Sequence, residues 1–179
     1  TLCNMAVELG GKNALMPGDK VLKDHLEKLG IRLRNGPVYD PDAKYERVVE
    51  IDLGKLSPMV AVPHGFREVC EVKALEGVKV DQVVIGGCTN GRLEDMVAAC
   101  KIISGKHLPS HVRLLIAPAS RNVLLEMNRL GITEVFLRQG ATILPPGCGP
   151  CSGMNLGVAG EGQVIVSTTN RNGAGRMGS

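Results

Sequence analysis

An open, mostly parallel α/β sheet with flanking helices is the fold class this sequence predicts, and three observations predict it. Apolar runs at residues 78–85 and 112–117 read as buried strands, and each leads into a helical repeat, at 93–103 and 123–130. Two further short runs rich in β-branched residues, 141–144 and 163–167, continue the alternation. Gly-rich polar motifs follow the first, third and fourth of these strands, and the carboxyl ends of strands are where such a sheet binds its ligands.

Before this region the pattern is less regular. Leu2, Met5, Ala6 and Leu9 recur at a helical period that stops at Gly10-Gly11. Val21, Leu22, Leu26 and Leu29 share a second helical face, closed by Gly30 as a capping glycine. Gly36-Pro37 and Asp40-Pro41-Asp42 punctuate a polar stretch, after which residues 47–53 alternate like a strand through Val48, Val49, Ile51 and Leu53. Residues 1–55 therefore read as a small α+β segment. A linker rich in Pro and Gly, around 54–65, leads into an α/β domain at 56–179.

Composition narrows the function classes. The chain has 179 residues, 44% of them apolar and 22% charged, so it has material for a buried core. With two Phe, two Tyr and no Trp it lacks platforms for stacking bases, and its net charge of +3 is spread without a basic stripe. Nucleic acid is disfavoured as a partner, whereas small anions remain open. No apolar run approaches the roughly 20 residues of a membrane span, and the N-terminus lacks signal-peptide order. The expected location is cytoplasmic. Six cysteines without the dense spacing of a secreted scaffold fit reduced thiols kept for metal or chemistry. The chain starts at Thr1 without Met and stops just after a Gly-rich motif, and so reads as a piece of something longer.

Three cysteines stand in the motifs: Cys88 in Gly-Gly-Cys-Thr-Asn-Gly, and Cys148 and Cys151 in Pro-Pro-Gly-Cys-Gly-Pro-Cys-Ser-Gly. On spacing alone Cys148 and Cys151 fit a redox dithiol, half of a zinc site or part of a cluster site. Gly86, Gly87, Gly147, Gly149 and Gly153 leave backbone N–H groups open to a bulky inorganic core, and a cubane held by three thiolates keeps one iron open to an oxygen ligand. Cys100 reads as a core thiol, and Cys3 and Cys70 have no partner at ligand spacing. In Thr168-Thr169-Asn170-Arg171-Asn172-Gly173-Ala174-Gly175-Arg176, two arginines five apart suit a ligand with more than one carboxylate, the alternative being a solvated surface loop.

In this order Gly-Gly-Cys-Thr-Asn-Gly-Arg-Leu-Glu-Asp, Gly-Cys-Gly-Pro-Cys and Asn-Arg-Asn-x-x-Gly-Arg resemble the aconitase superfamily, most closely the large subunits of 3-isopropylmalate dehydratase and its homoaconitase relatives. The opening residues 1–10 resemble an internal segment of that family. The resemblance covers essentially the whole chain. It implies an aconitase-like fold and a [4Fe-4S] cluster on Cys88, Cys148 and Cys151, with Asn4 and Asn170 in the cluster environment. It further implies that Glu8 serves the acid/base network and that Arg171 and Arg176 meet substrate carboxylates. On their own residues, Asn4 and Glu8 read as a helix terminus with an exposed acid. The implied activity is a hydro-lyase that interconverts 2-isopropylmalate and 3-isopropylmalate in leucine biosynthesis by removing water and adding it back. Homocitrate or citrate isomerisation is the nearest alternative; a non-catalytic cluster-binding or RNA-binding piece is a more distant one.

The sequence departs from the family at several points. Gly173 stands where the family usually has an aromatic residue. The family's N-terminal catalytic His and Asp residues, and the swivelling small domain or subunit with its serine base, are not in the chain, which is therefore expected to be inactive alone. His25, His64, His107 and His111 match no catalytic motif and read as surface or loop residues.

Overall fold

A computed structural model describes residues 1–32, 36–62, 65, 68–171, 173 and 175–178. The chain divides into two compact units, one of Leu2–Leu56 and one of Ser57–Ser179 together with Thr1.

In the first unit, helix α1 (Leu2–Met5) runs into a 3-10 turn at Ala6–Leu9. Gly10 ends it in a left-handed conformation, with its N–H on the Val7 carbonyl. Helix α2 (Lys20–Lys28) starts where the Asp19 carboxylate accepts the Leu22 N–H at 2.8 Å and stops at Gly30, whose N–H bonds the Glu27 carbonyl. The strand expected over 47–53 does not form. Its apolar residues Val48, Val49, Ile51 and Leu53 are all exposed, and a short 3-10 turn, Leu53–Lys55, closes the segment. Alternation makes a strand only where a neighbour takes up its N–H and C=O groups, and among the described residues this unit offers none. Among its described residues the segment is helical and irregular.

The second unit opens with an antiparallel ribbon, β1 (Met59–Ala61) on β2 (Val69–Glu71), whose first strand lies in the stretch that reads as linker. Its end is fixed by the Val72 N–H on the Pro58 carbonyl and by Ser57 Oγ on Glu71 at 2.7 Å. Proline suits such an edge because its carbonyl accepts a bond while its missing N–H costs nothing there.

The main sheet follows: β3 (Gln82–Gly86), α3 (Leu93–Ile103), β4 (Arg113–Ala117), α4 (Arg121–Arg129), α5 (Ile132–Arg138), β5 (Thr142–Ile143) and β6 (Ile165–Ser167). Its strand order is β5-β4-β3-β6, all parallel. β3 begins later than the apolar run because Val78 closes the preceding 3-10 turn on the Leu75 carbonyl. Helix α5 lies beyond the helical repeat read at 123–130: the left-handed turn at Gly131 starts a new helix that buries Ile132 and Phe136.

Period-two alternation splits the sheet into two faces. Leu114 and Ile116 of β4, with Val83 and Ile85 of β3, pack against Met96, Met127, Ile132 and Phe136, so α3, α4 and α5 all cover one face. Val84, Leu115, Ala117 and Leu144 line the other with Ile165. There Gly157 lies so close to Leu115 that a Cβ would overlap it, and fully buried Gln82 donates from Nε2 to the Gly157 carbonyl at 2.6 Å. The second face is thus covered in part by the segment that follows Cys151. No helix among the described residues is long and apolar enough to cross a membrane.

Candidate cysteine and arginine site

Parallel pairing puts the carboxyl ends of all four main strands on one edge, and the strand order reverses at the β3–β6 junction, where an open α/β sheet leaves its ligand crevice. Cys88 lies two residues beyond β3. Beyond β5, Cys148 precedes and Cys151 lies within a 3-10 turn, Gly149–Ser152, and Asn170 and Arg171 lie just beyond β6.

Tight backbone packing brings these loops together. The Gly87 N–H donates to the Ala117 carbonyl at 2.8 Å, and a Cβ on Gly86 would overlap Ala117 O and Met96 Cε. Only glycine allows the chain to turn there, with φ at 111°, against the end of β4. The loop after β4 stands between the two cysteine loops: its Ala119 N–H bonds Gly91 O at 2.8 Å, and its Pro118 carbonyl accepts the Gly147 N–H at 2.9 Å. Within the Cys148–Cys151 loop, Asn155 Nδ2 donates to Gly149 O and Ser152 Oγ, each at 3.1 Å.

The three thiols meet as a result. Cys88 and Cys148 are exposed and Cys151 is buried, and the Cys88 thiol hydrogen-bonds that of Cys148. Partial burial of the thiol raises the Cys88 pKa above its ordinary value, and the Cys148 hydrogen bond and the charges of Cys148 and Cys151 raise it further, while its own backbone N–H pulls it down. Although Cys88 is exposed as a residue, its sulfur lies against neighbours that disfavour an isolated thiolate. Among the described residues no three His, Cys, Asp or Glu side chains already stand in metal-ligating geometry. Cys148 and Cys151 are both close enough to act on Cys88 electrostatically, and thiols that take up a metal must lose their protons on loading.

The arginine loop lies on the same edge. Arg171 and Arg176 are both half-buried, and Arg176 Nε is buried without a hydrogen-bond partner among the described residues. An orphaned guanidinium donor of this kind is costly unless an anion takes it up. The donor set and the orphaned Nε fit the pair implied by the motifs: a group held by three soft thiolates beside an anionic ligand.

Asn4 and Glu8 belong to the first unit. Asn4 is exposed on α1, and Glu8 is half-buried in the 3-10 turn, unlike the exposed acid its position suggests. His25, His107 and His111 are exposed; His64, Asn172 and Ala174 lie outside the described residues. Cys100 packs against the helix-side core as expected. Sequence reasoning missed Thr89, Asn90 and Thr168, which hydrogen-bond across the edge. The available signal was the pair of polar doublets beside Cys88 and before Asn170.

Fold and site together define a parallel α/β protein with cysteine-bearing and arginine-bearing loops on one sheet edge. The chain belongs to the aconitase family: the model described as Aconitase family (aconitate hydratase) matches residues 1–76 and 67–179. It is 47% identical, over 100% of its length, to the 3-isopropylmalate dehydratase large subunit 1 of Thermotoga maritima. It is 48% identical to the probable methanogen homoaconitase large subunit of Methanosarcina mazei over 99% of its length, and 47% identical to the homoaconitase large subunit of Thermus thermophilus over 100%. The chain spans 44%, 45% and 42% of those three relatives, respectively.

Proposed function

We propose that this chain is the cluster-bearing part of a hydro-lyase that isomerises 2-isopropylmalate and 3-isopropylmalate, acting with a small subunit or domain. The observation that carries the reading is that three interacting thiols and the loop with a buried, unpartnered arginine Nε follow strands of one parallel sheet at the same edge. Cys88, Cys148 and Cys151 would hold a [4Fe-4S] cluster. When bound, such a cluster supplies a Lewis acid for the departing hydroxyl.

The chain's own residues supply orientation and charge. Arg171 and Arg176 hold the two carboxylates of the substrate, Arg176 giving its unpartnered Nε–H to one of them. Asn170, its Oδ1 accepting from Thr89 at 3.0 Å, supports the cluster side of the site with Asn4. Glu8 belongs to the acid/base network that moves the proton at the neighbouring carbon. A second reading, homocitrate or citrate as substrate, is supported by the homoaconitase names at 48% and 47% identity, level with the 47% of the dehydratase.

Anaerobic reconstitution with iron and sulfide tests the metal reading: the chain should gain broad visible absorbance, and Cys148→Ser should lose it. Absence of that absorbance from the unaltered chain would overturn the cluster assignment. A panel of isopropylmalate, homocitrate and citrate, run on the full-length large subunit together with its small subunit, separates the substrates; the 179-residue chain alone is expected to turn over none.

A further inference from the structure

The arginine loop is tied to both cysteine loops, one at each of its ends. On the Cys88 side, the Gly86 N–H donates to Thr168 Oγ1 at 2.8 Å, Asn90 Nδ2 to the Thr168 carbonyl at 2.6 Å, and Thr89 Oγ1 to Asn170 Oδ1 at 3.0 Å. Asn90 Oδ1 accepts from Thr1 Oγ1 at 2.8 Å, so both ends of that amide are engaged, and its N–H end is fixed by a carbonyl that can only accept. On the Cys151 side, Gly153 turns with φ at 77°, and a Cβ there would stand 3.0 Å from the Arg176 carbonyl. Nearby the Ala159 N–H bonds the Met177 carbonyl at 2.6 Å, and Ala159 bridges Gly178.

We propose that Thr89, Asn90 and Gly153 are positioning residues that couple what the three thiols hold to the order of the arginine loop. Drawing Cys88, Cys148 and Cys151 onto one group moves the loops that carry Thr89, Asn90 and Gly153. Thr89 and Asn90 bond residues 168–170 at one end, and at the other the Gly153 backbone approaches the Arg176 carbonyl closely enough that a Cβ would crowd it. Occupied thiols therefore hold the arginines in the arrangement that receives carboxylates, and empty thiols release it. The inference deepens the proposed function and rests on its assignment of these cysteines and arginines.

Hydrogen exchange of the 168–178 peptide in the whole chain tests it, with cadmium as the thiol probe and the thiolate-to-cadmium ultraviolet band as the measure of occupancy. In the unaltered chain, saturating cadmium should slow exchange about tenfold. Thr89→Ser, which keeps the hydroxyl, should respond alike. At equal occupancy Thr89→Val and Asn90→Leu should lose the slowing, and Gly153→Ala should exchange faster with the metal bound. If Thr89→Val fails to fold, Asn90→Leu decides. Undiminished slowing in the folded variants, no slowing in the unaltered chain, or no cadmium band would each overturn the coupling. Failure to take up iron and sulfide with the cadmium response intact would instead overturn the cluster reading and leave the coupling standing.

Discussion

The units Leu2–Leu56 and Ser57–Ser179 are both well supplied with apolar residues, yet they use them in opposite ways. In the first, Leu2, Val7, Leu9, Val21, Val38, Val48 and Leu53 are exposed, and Ala6 is the one hydrophobic residue buried among those described. In the second, alternate residues of β3 and β4 feed two clusters, one against three helices and one against the covering segment. Helical periodicity in α2 and alternation at 47–53 describe faces, whereas burial needs a second surface to lay against them. The sheet has that surface on both sides, so the second unit has a rigid frame on which loops can be aimed.

Three substitutions would break or sharpen this contrast. The largest effect is expected from Phe136→Ala, which empties a fully buried site among the helices and should cost the second unit about 3–5 kcal/mol in urea denaturation. A loss well under 1 kcal/mol would mean the helix-side cluster is no true core. A smaller effect is expected from Ser120→Ala: the Ser120 hydroxyl accepts the Val123 N–H at 3.3 Å and caps α4, so its removal should cost about 1 kcal/mol. The smallest belongs to Val48→Ser, within about 0.5 kcal/mol by the same measurement, because that side chain is exposed. A loss of several times that figure would show that Val48 is covered in solution and erase the difference between the units.

Legibility in the sequence follows the same divide. Leu93–Ile103 matches the helix read from its repeat because Asp95 caps the Arg92 N–H at one end and Ser104 turns out of the helix at the other, both local signals. The false strand at 47–53 finds no partner among the described residues, and the ribbon β1–β2 went unrecognised because each of its strands is only three residues long, too short to show an alternation. In the site, the placement of Cys88, Cys148, Cys151 and Arg171 after strands was legible because parallel topology aligns every strand end. The bonds from Thr89 and Asn90 to residues 168–170 span about 80 positions, so no spacing rule reveals them. The roles proposed for Asn4 and Glu8 rest on resemblance, since their local sequence reads only as a helix terminus with an exposed acid.

The exit of β4 bears on how such a protein can change. Pro118 and Ala119 carry no proposed chemistry, yet they fasten the Cys88 loop on one flank through Gly91 and the Cys148 loop on the other through Gly147. One residue inserted there would displace both flanks at once, whereas an insertion between Gly160 and Gln163, in the exposed return to β6, would disturb neither. Lineages of this fold are therefore free to lengthen their outer returns. The central turn must keep its length for as long as three cysteines are to share one place.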